Sequence, residues 1–410
     1  MTRPAVTLDD VRAARERIAS GIARTPCPAS VPLSDLTGAK VACKLELLQR
    51  TGSFKERGAR NALMLLPPEQ KARGVVAASA GNHALGLAWH GRLLGIPVTV
   101  VMPRFAPLVK VATCRRLGAR VILDGETFDD ARRRALEIAG AEGLERIHGF
   151  DDARVIAGQG TVALEILEEV PDVDAVVVPT GGAGLLAGVG VVLQSLAPDV
   201  RIVAVEAAAA PSFSASLAAG RPTAVPIRPT LADGLAVGRV GDVSFPLAAA
   251  AVDRVVTAGE DQLALAVVRL LELEKTVVEG AGAAALAALL GDHCRDLAGR
   301  RVVLLLCGGN IDLTSLDRVI DHGLAADGRR WRFTTRISDR PGGMARLSAA
   351  IAAAGASVRE IVHDRAFSGP DVFSIAVEVT VETSDREHAA VVFGQLRAEG
   401  FDVTAVMPPA

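Results

Sequence analysis

The stretch VDAVVVPTGGAGLLAGVGVVLQSLAPDVRIVAV, residues 173–205, decides the fold. It reads as an apolar strand over Val173–Val178, a turn of small residues, a helix over Leu185–Leu196 and a second strand over Arg201–Val205. A strand without in–out alternation is buried on both faces, as in a parallel sheet covered by helices.

The same grammar runs outward from it. Upstream, strands over Gly74–Ala78, Pro97–Met102 and Arg120–Leu123 alternate with helices over Asn82–Leu94, Pro107–Leu117 and Phe128–Glu142. Downstream come strand Arg254–Val256, helices Asp261–Leu273 and Ala281–Leu290, and strand Arg301–Leu306. An opening amphipathic helix, Thr7–Ile22, has Thr7 as its cap. The pattern predicts an α/β protein with two doubly wound parallel-sheet domains and a cleft between them. The smaller, about 45–155, is inserted in the larger, and the body spans 1–322. A polar, Gly- and Arg-containing stretch, 323–330, reads as a linker. Beyond it, strand Trp331–Ile337, helix Gly343–Ala354, strands Ser357–His363 and Val372–Thr380, helix Asp385–Glu399 and strand Phe401–Val406 give the βαββαβ order of a ferredoxin-like module over 331–406.

Composition narrows the function. A net charge of -2 and scattered basic residues give no footprint for nucleic acid. No apolar run reaches membrane-span length, and the first residues lack the apolar core of a secretory signal, so no membrane partner is expected. Five dispersed cysteines without a C-x-x-C pair point to a reducing, cytoplasmic setting rather than a disulfide framework or a zinc site. The histidines show no ligand spacing. Lysines are scarce: Lys40, Lys44, Lys55, Lys71, Lys110 and Lys275. Arginine is too basic to form an imine, so any covalent amine chemistry falls to one of these six.

Four segments carry the chemistry. Thr51-Gly52-Ser53-Phe54-Lys55-Glu56-Arg57-Gly58 sets a lysine among small residues at a helix start, which a surface lysine would also satisfy. Ser79-Ala80-Gly81-Asn82-His83 follows a strand and opens a helix, where free N–H groups receive an anion; an ordinary turn capped by Asn82 reads the same. Thr180-Gly181-Gly182-Ala183-Gly184-Leu185 has neither dinucleotide nor P-loop spacing, so a monophosphate suits it. Cys307-Gly308-Gly309-Asn310 closes a further strand, at the carboxyl end that faces a crevice; alone, Cys307 is also a small buried hydrophobe.

Taken together, these segments resemble the serine/threonine dehydratase branch (threonine ammonia-lyases) of the fold-type II, tryptophan synthase β-like, pyridoxal-phosphate enzymes. The resemblance runs from Arg24-Thr25-Pro26 to about Leu324 and includes Lys44-Leu45-Glu46, Asp233-Gly234 and Glu279-Gly280-Ala281-Gly282-Ala283. It implies pyridoxal 5'-phosphate bound covalently by Lys55, which then removes the substrate's α-proton. It implies that Phe54 packs beside the ring, Asn82 meets the ring oxygen and Cys307 faces the ring nitrogen. Gly181, Gly182, Ala183, Gly184 and Leu185 would cradle the phosphate, and Ser79, Ala80, Gly81, Asn82 and His83 the substrate carboxylate. The activity implied is dehydration and deamination of L-threonine to 2-oxobutanoate and ammonia, with L-serine also accepted, in amino-acid metabolism such as isoleucine biosynthesis.

The chain departs from the family at two points. Ala183 replaces the third of four consecutive glycines, which requires it to keep a negative φ. Cysteine stands at 307 where serine is common in bacterial members. Glu206, Ala210 and Ser212 match a cation site of relatives but offer few anionic ligands, so no metal is expected. The C-terminal module resembles an ACT domain through Ile337-Ser338-Asp339-Arg340-Pro341-Gly342-Gly343; Asp339, Pro341, Gly342 and Gly343 would receive an amino-acid effector, or the module serves dimerisation alone. A homodimer or homotetramer is implied. Three alternatives remain: serine racemase, 3-hydroxyaspartate ammonia-lyase, and a non-catalytic amino-acid sensor. Ala80 weighs against the racemase, because it supplies no hydroxyl opposite Lys55.

Overall fold

The computed structural model describes residues 4–364 and 373–406. Residues 1–3, and Val372 at the start of one expected strand, lie outside them. The chain divides into two compact units, Met1–Leu313 and Thr314–Ala410.

The first unit holds strands β1 (Lys40–Lys44), β2 (Val75–Ala78), β3 (Val98–Met102), β4 (Arg120–Leu123), β5 (Glu145–Arg146), β6 (Ala175–Pro179), β7 (Arg201–Ala207), β8 (Arg254–Ala258) and β9 (Arg301–Leu305). They form two sheets, ordered β1-β9-β6-β7-β8 and β4-β3-β2-β5. Every pairing in both is parallel. The larger sheet takes β1 from before the smaller sheet and β6–β9 from after it, so the smaller sheet is inserted in the chain between them. Val176, Val177 and Val178 are fully buried, and Val75 and Val100 play the same part in the smaller sheet. Burial on both faces is why these strands read as solid apolar runs.

The second unit holds strands β10 (Arg330–Ser338), β11 (Ser357–Asp364), β12 (Ser374–Glu382) and β13 (Thr404–Val406), with helices Gly343–Ala353 and Arg386–Ala398. The βαββαβ order gives an antiparallel sheet β11-β12-β10-β13. On β10, Phe333, Thr335 and Ile337 are buried while Arg332, Arg336 and Ser338 are exposed, the period-two pattern of a half-covered sheet. The division of the chain differs from the expected linker. Helix Leu313–Ala326 runs through the first part of 323–330 and stops only at Asp327-Gly328, because its apolar periodicity outlasts the polar composition. The break between units accordingly falls at 313/314, not after 322.

Candidate active site

Lys55 opens helix Lys55–Met64, and its position is set from beneath. Two residues on, Arg57 is buried and makes paired hydrogen bonds to Glu46 (2.7 Å each) and to Glu165 (2.7 and 2.8 Å). Lys44, also buried, bonds Glu165 at 2.8 Å and Glu169 at 3.0 Å. Burial would push the Glu46 carboxyl up, but Arg57 and the Thr25 hydroxyl more than reverse it and hold it low. From the other side, the Phe54 N–H donates to the Cys307 carbonyl (3.1 Å), and Ser53 bridges Gly308. The lysine and cysteine motifs are therefore stitched together by backbone.

The Lys55 amino group donates to the Gly149 carbonyl at 2.7 Å and lies 5.0 Å from the Phe54 ring centre. Burial lowers its pKa to about 8, with Cys307 and Glu279 pulling weakly the other way. A substantial fraction is thus neutral near physiological pH, as a nucleophile and base requires. Burial also pushes the Cys307 thiol far up, so it stays protonated; its Sγ donates to the Ala281 carbonyl at 3.7 Å. His83 is buried and neutral, lowered to about 3 by burial and by Lys55.

Two runs of backbone donors face the same region. Helix Asn82–Leu94 begins after Gly81, so Gly81 rather than Asn82 is the residue before the first turn. Among the described residues no acceptor meets the N–H groups of Ala80, Asn82 or His83, while the Ser79 hydroxyl accepts from Gly81 and Ala84. Helix Gly184–Leu196 begins after Ala183, and the N–H groups of residues 181–185 likewise find no acceptor among the described residues. Ala183 has φ 66 and ψ 4, in the left-handed region. This corrects the expectation of a negative φ. The methyl is 2 % exposed, and its packing in the core offsets the backbone cost of roughly 1 kcal/mol or more. Phe150 presses on this loop so closely that a Cβ on Gly182 would overlap its ring.

Sequence reasoning missed three parts of the site. Gly149 and Phe150 join the lysine to the glycine loop, but a carbonyl contact leaves no side-chain signal. Glu279 is 4 % exposed, accepts from Asn82 Nδ2 at 2.7 Å, and is pushed up to about 7 by burial and Asp233, against Lys110, Asn82 and the Asn310 N–H. Asn310 Nδ2 donates to Asn82 Oδ1 (2.9 Å) and to the Thr51 carbonyl (2.6 Å). Glu279 and Asn310 stood in quoted motifs, but an acid before a helix resembles a cap.

The remaining residues lie elsewhere. Glu206 accepts from the Phe213 N–H (2.6 Å), the Ser214 N–H (2.9 Å) and the Ser214 hydroxyl (2.6 Å), and the Ala210 carbonyl takes the Ser212 N–H at 2.9 Å. The buried Ser212 hydroxyl has no partner among the described residues, which also contain no cluster of three metal-ligating side chains. In the second unit, Asp339, Pro341 and Gly342 are exposed and Gly343 begins its helix.

A poised amine, a protonated thiol, and two runs of unsatisfied N–H groups, one suited to a phosphate and one to a carboxylate, fit pyridoxal phosphate and an amino acid. The chain belongs to the family described as pyridoxal-phosphate dependent enzymes, whose profile matches residues 18–308. Within it, the paired parallel sheets are those of fold-type II. The chain is 44% identical to an L-threonine ammonia-lyase of Thermotoga maritima, over 98% of this chain and 100% of that one. It is 41% identical to an Escherichia coli catabolic L-threonine dehydratase, over 77% of this chain and 96% of that one. Among solved structures, the processed form of threonine deaminase isoform 2 from Solanum lycopersicum superposes with a TM-score of 0.72 at 34% identity, covering 78% of this chain and 95% of that one. Maize serine racemase gives 0.74 at 34%, covering 78% and 98%.

Proposed function

We propose that the protein converts L-threonine to 2-oxobutanoate and ammonia, accepts L-serine, and works in the cytoplasm. The observation that carries this reading is the placement of Lys55, an amine of lowered pKa joined by backbone to Cys307 and, through Gly149, to the glycine loop, in a chain similar end to end to an L-threonine ammonia-lyase. The N–H groups of residues 181–185 hold the phosphate. Those of Ala80, Asn82 and His83, which have no acceptor among the described residues, would hold the substrate carboxylate. Pyridoxal phosphate, when bound, supplies an electron sink at the α-carbon. Lys55 Nζ would accept the α-proton, the β-hydroxyl would leave as water by taking a proton from the cofactor phosphate or a neighbouring acid to which the Lys55 proton returns, and the released unsaturated amine would take up water to give the 2-oxo acid and ammonia. Cys307 keeps its proton and so would offer the cofactor's ring nitrogen no negative charge, which would favour elimination over slower carbanion chemistry. Ala80 gives the face opposite Lys55 no proton donor, which argues against racemisation.

We also assign the second unit an effector role: an amino acid such as isoleucine binds at the turn containing Asp339, Pro341, Gly342 and Gly343 and shifts activity by linkage. Its βαββαβ order and exposed turn support this.

The test is a 2-oxo acid assay on L-threonine, L-serine and 3-hydroxyaspartate, with and without isoleucine. L-Threonine turnover that disappears in Lys55→Ala is expected. A protein that takes up no pyridoxal phosphate, or that forms D-serine rapidly from L-serine, overturns the reading.

A further inference from the structure

The Asn82 amide is gripped at both ends. Its Nδ2 donates to Glu279 Oε1 and its Oδ1 accepts from Asn310 Nδ2, whose other hydrogen goes to the Thr51 carbonyl. A carbonyl can only accept, so Thr51 fixes which edge of Asn310 carries the nitrogen. An ionised carboxylate can only accept as well, so Glu279 in that form fixes Asn82 in the same sense. Only one orientation of Asn82 satisfies all three partners. The flipped amide would set its oxygen against a carboxylate oxygen and its NH2 against another NH2. Asn82 spends one of its two amide hydrogens on Glu279 and keeps the second free. Gly308 leaves the room for this arrangement, since a Cβ there would overlap the Glu279 carboxyl and come within 3.2 Å of Asn82 Nδ2.

Burying a carboxylate is costly, and a glutamine would fill the same space without that cost. Glutamine, however, carries a donor as well as an acceptor and could meet either edge of Asn82, which would leave the orientation to Asn310 and Thr51 alone. The property that an ionised glutamate brings is two acceptor oxygens and no donor, which adds a second constraint to the one from Asn310.

We infer that Glu279 is a positioning residue for the cofactor: with Asn310 and Thr51 it locks the Asn82 amide so that an N–H, never the carbonyl, is presented to the ring oxygen of pyridoxal phosphate. The inference rests on the cofactor reading above and adds to it a residue that acts through Asn82 without touching the cofactor.

The test is a double-mutant cycle on the full-length protein loaded with pyridoxal phosphate. Cofactor affinity is read by equilibrium dialysis and the visible absorption band, beside the melting temperature of each variant. Glu279→Gln is expected to weaken cofactor binding about tenfold and to shift the band, with melting little changed. Asn82→Ala is expected to weaken binding at least as much, and Glu279→Gln added to Asn82→Ala to cost less than twofold more. Should Glu279→Gln not fold, Asn310→Asp tests the same lock, by setting an acceptor against both Thr51 and Asn82. Losses that multiply in the double variant, or a Glu279→Gln protein with wild-type affinity and band, overturn the inference alone. A wild-type protein that holds no cofactor overturns the underlying reading too.

Discussion

At the scale of single residues, burial decides what Lys55 can do. Its pKa lies at about 8, against 10.5 for an ordinary lysine. The rate at which the cofactor-free protein takes up pyridoxal phosphate should rise with pH to about 8 and then level, which stopped-flow absorbance would record; an ordinary lysine would climb on beyond 10. The folded chain releases this proton at about 8 and the unfolded chain near 10.5, so the unfolded state binds more protons between the two. Stability of the cofactor-free protein therefore rises with pH across that window, and Lys55→Met should remove that share of the slope in chemical denaturation. Ala183 makes a different prediction. Glycine there relieves the left-handed strain but loses a buried methyl and gains chain entropy, each about 1 kcal/mol. Ala183→Gly should accordingly stay within about 1 kcal/mol of the parent. Ala183→Val, β-branched and buried, should lose about 2 kcal/mol or more in urea unfolding.

At the scale of elements, the helix that carries Lys55 is held down by charge as well as by the buried seam of Ala59, Ala62 and Leu63. Arg57 meets two carboxylates with both edges of its guanidinium. Arg57→Ala would strand Glu46 in a buried place, so a loss of about 3–5 kcal/mol in denaturant unfolding is expected. Arg57→Lys should recover only part of it, because an ammonium cannot span both pairs. The elements themselves were largely legible, since strands such as Val176–Val178 announce two-sided burial by composition alone. Strand β5 was not: Glu145–Arg146 is two polar residues at a sheet edge, placed by pairing with Val75 and Val76. In the site, Lys55, Asn82, Cys307 and the glycine loop stood out only when their four segments were taken together, since each turn alone has an ordinary reading. Gly149 could not, because its contribution is a carbonyl, and the sign of φ at Ala183 depended on packing that no local pattern encodes.

At the scale of the whole molecule, the two units suggest a division of labour. The Escherichia coli relative is matched over 96% of its own length by only 77% of this chain. A chain lacking residues 331–410 should keep turnover of L-threonine within a few-fold and lose any response to isoleucine, measured by the same 2-oxo acid assay. Equal responses in both chains would refute the regulatory role.

The insertion of the smaller sheet has a consequence during synthesis. Strand β1 pairs with β9, Lys40 opposite Arg301, so its neighbour is made only after most of the first unit has left the ribosome. At typical elongation rates that wait is on the order of tens of seconds. The small domain, whose strands β2 to β5 are contiguous in the chain, can close meanwhile. The nascent protein thus carries a finished domain and a waiting strand, and the pairing of β1 with β9 forms last.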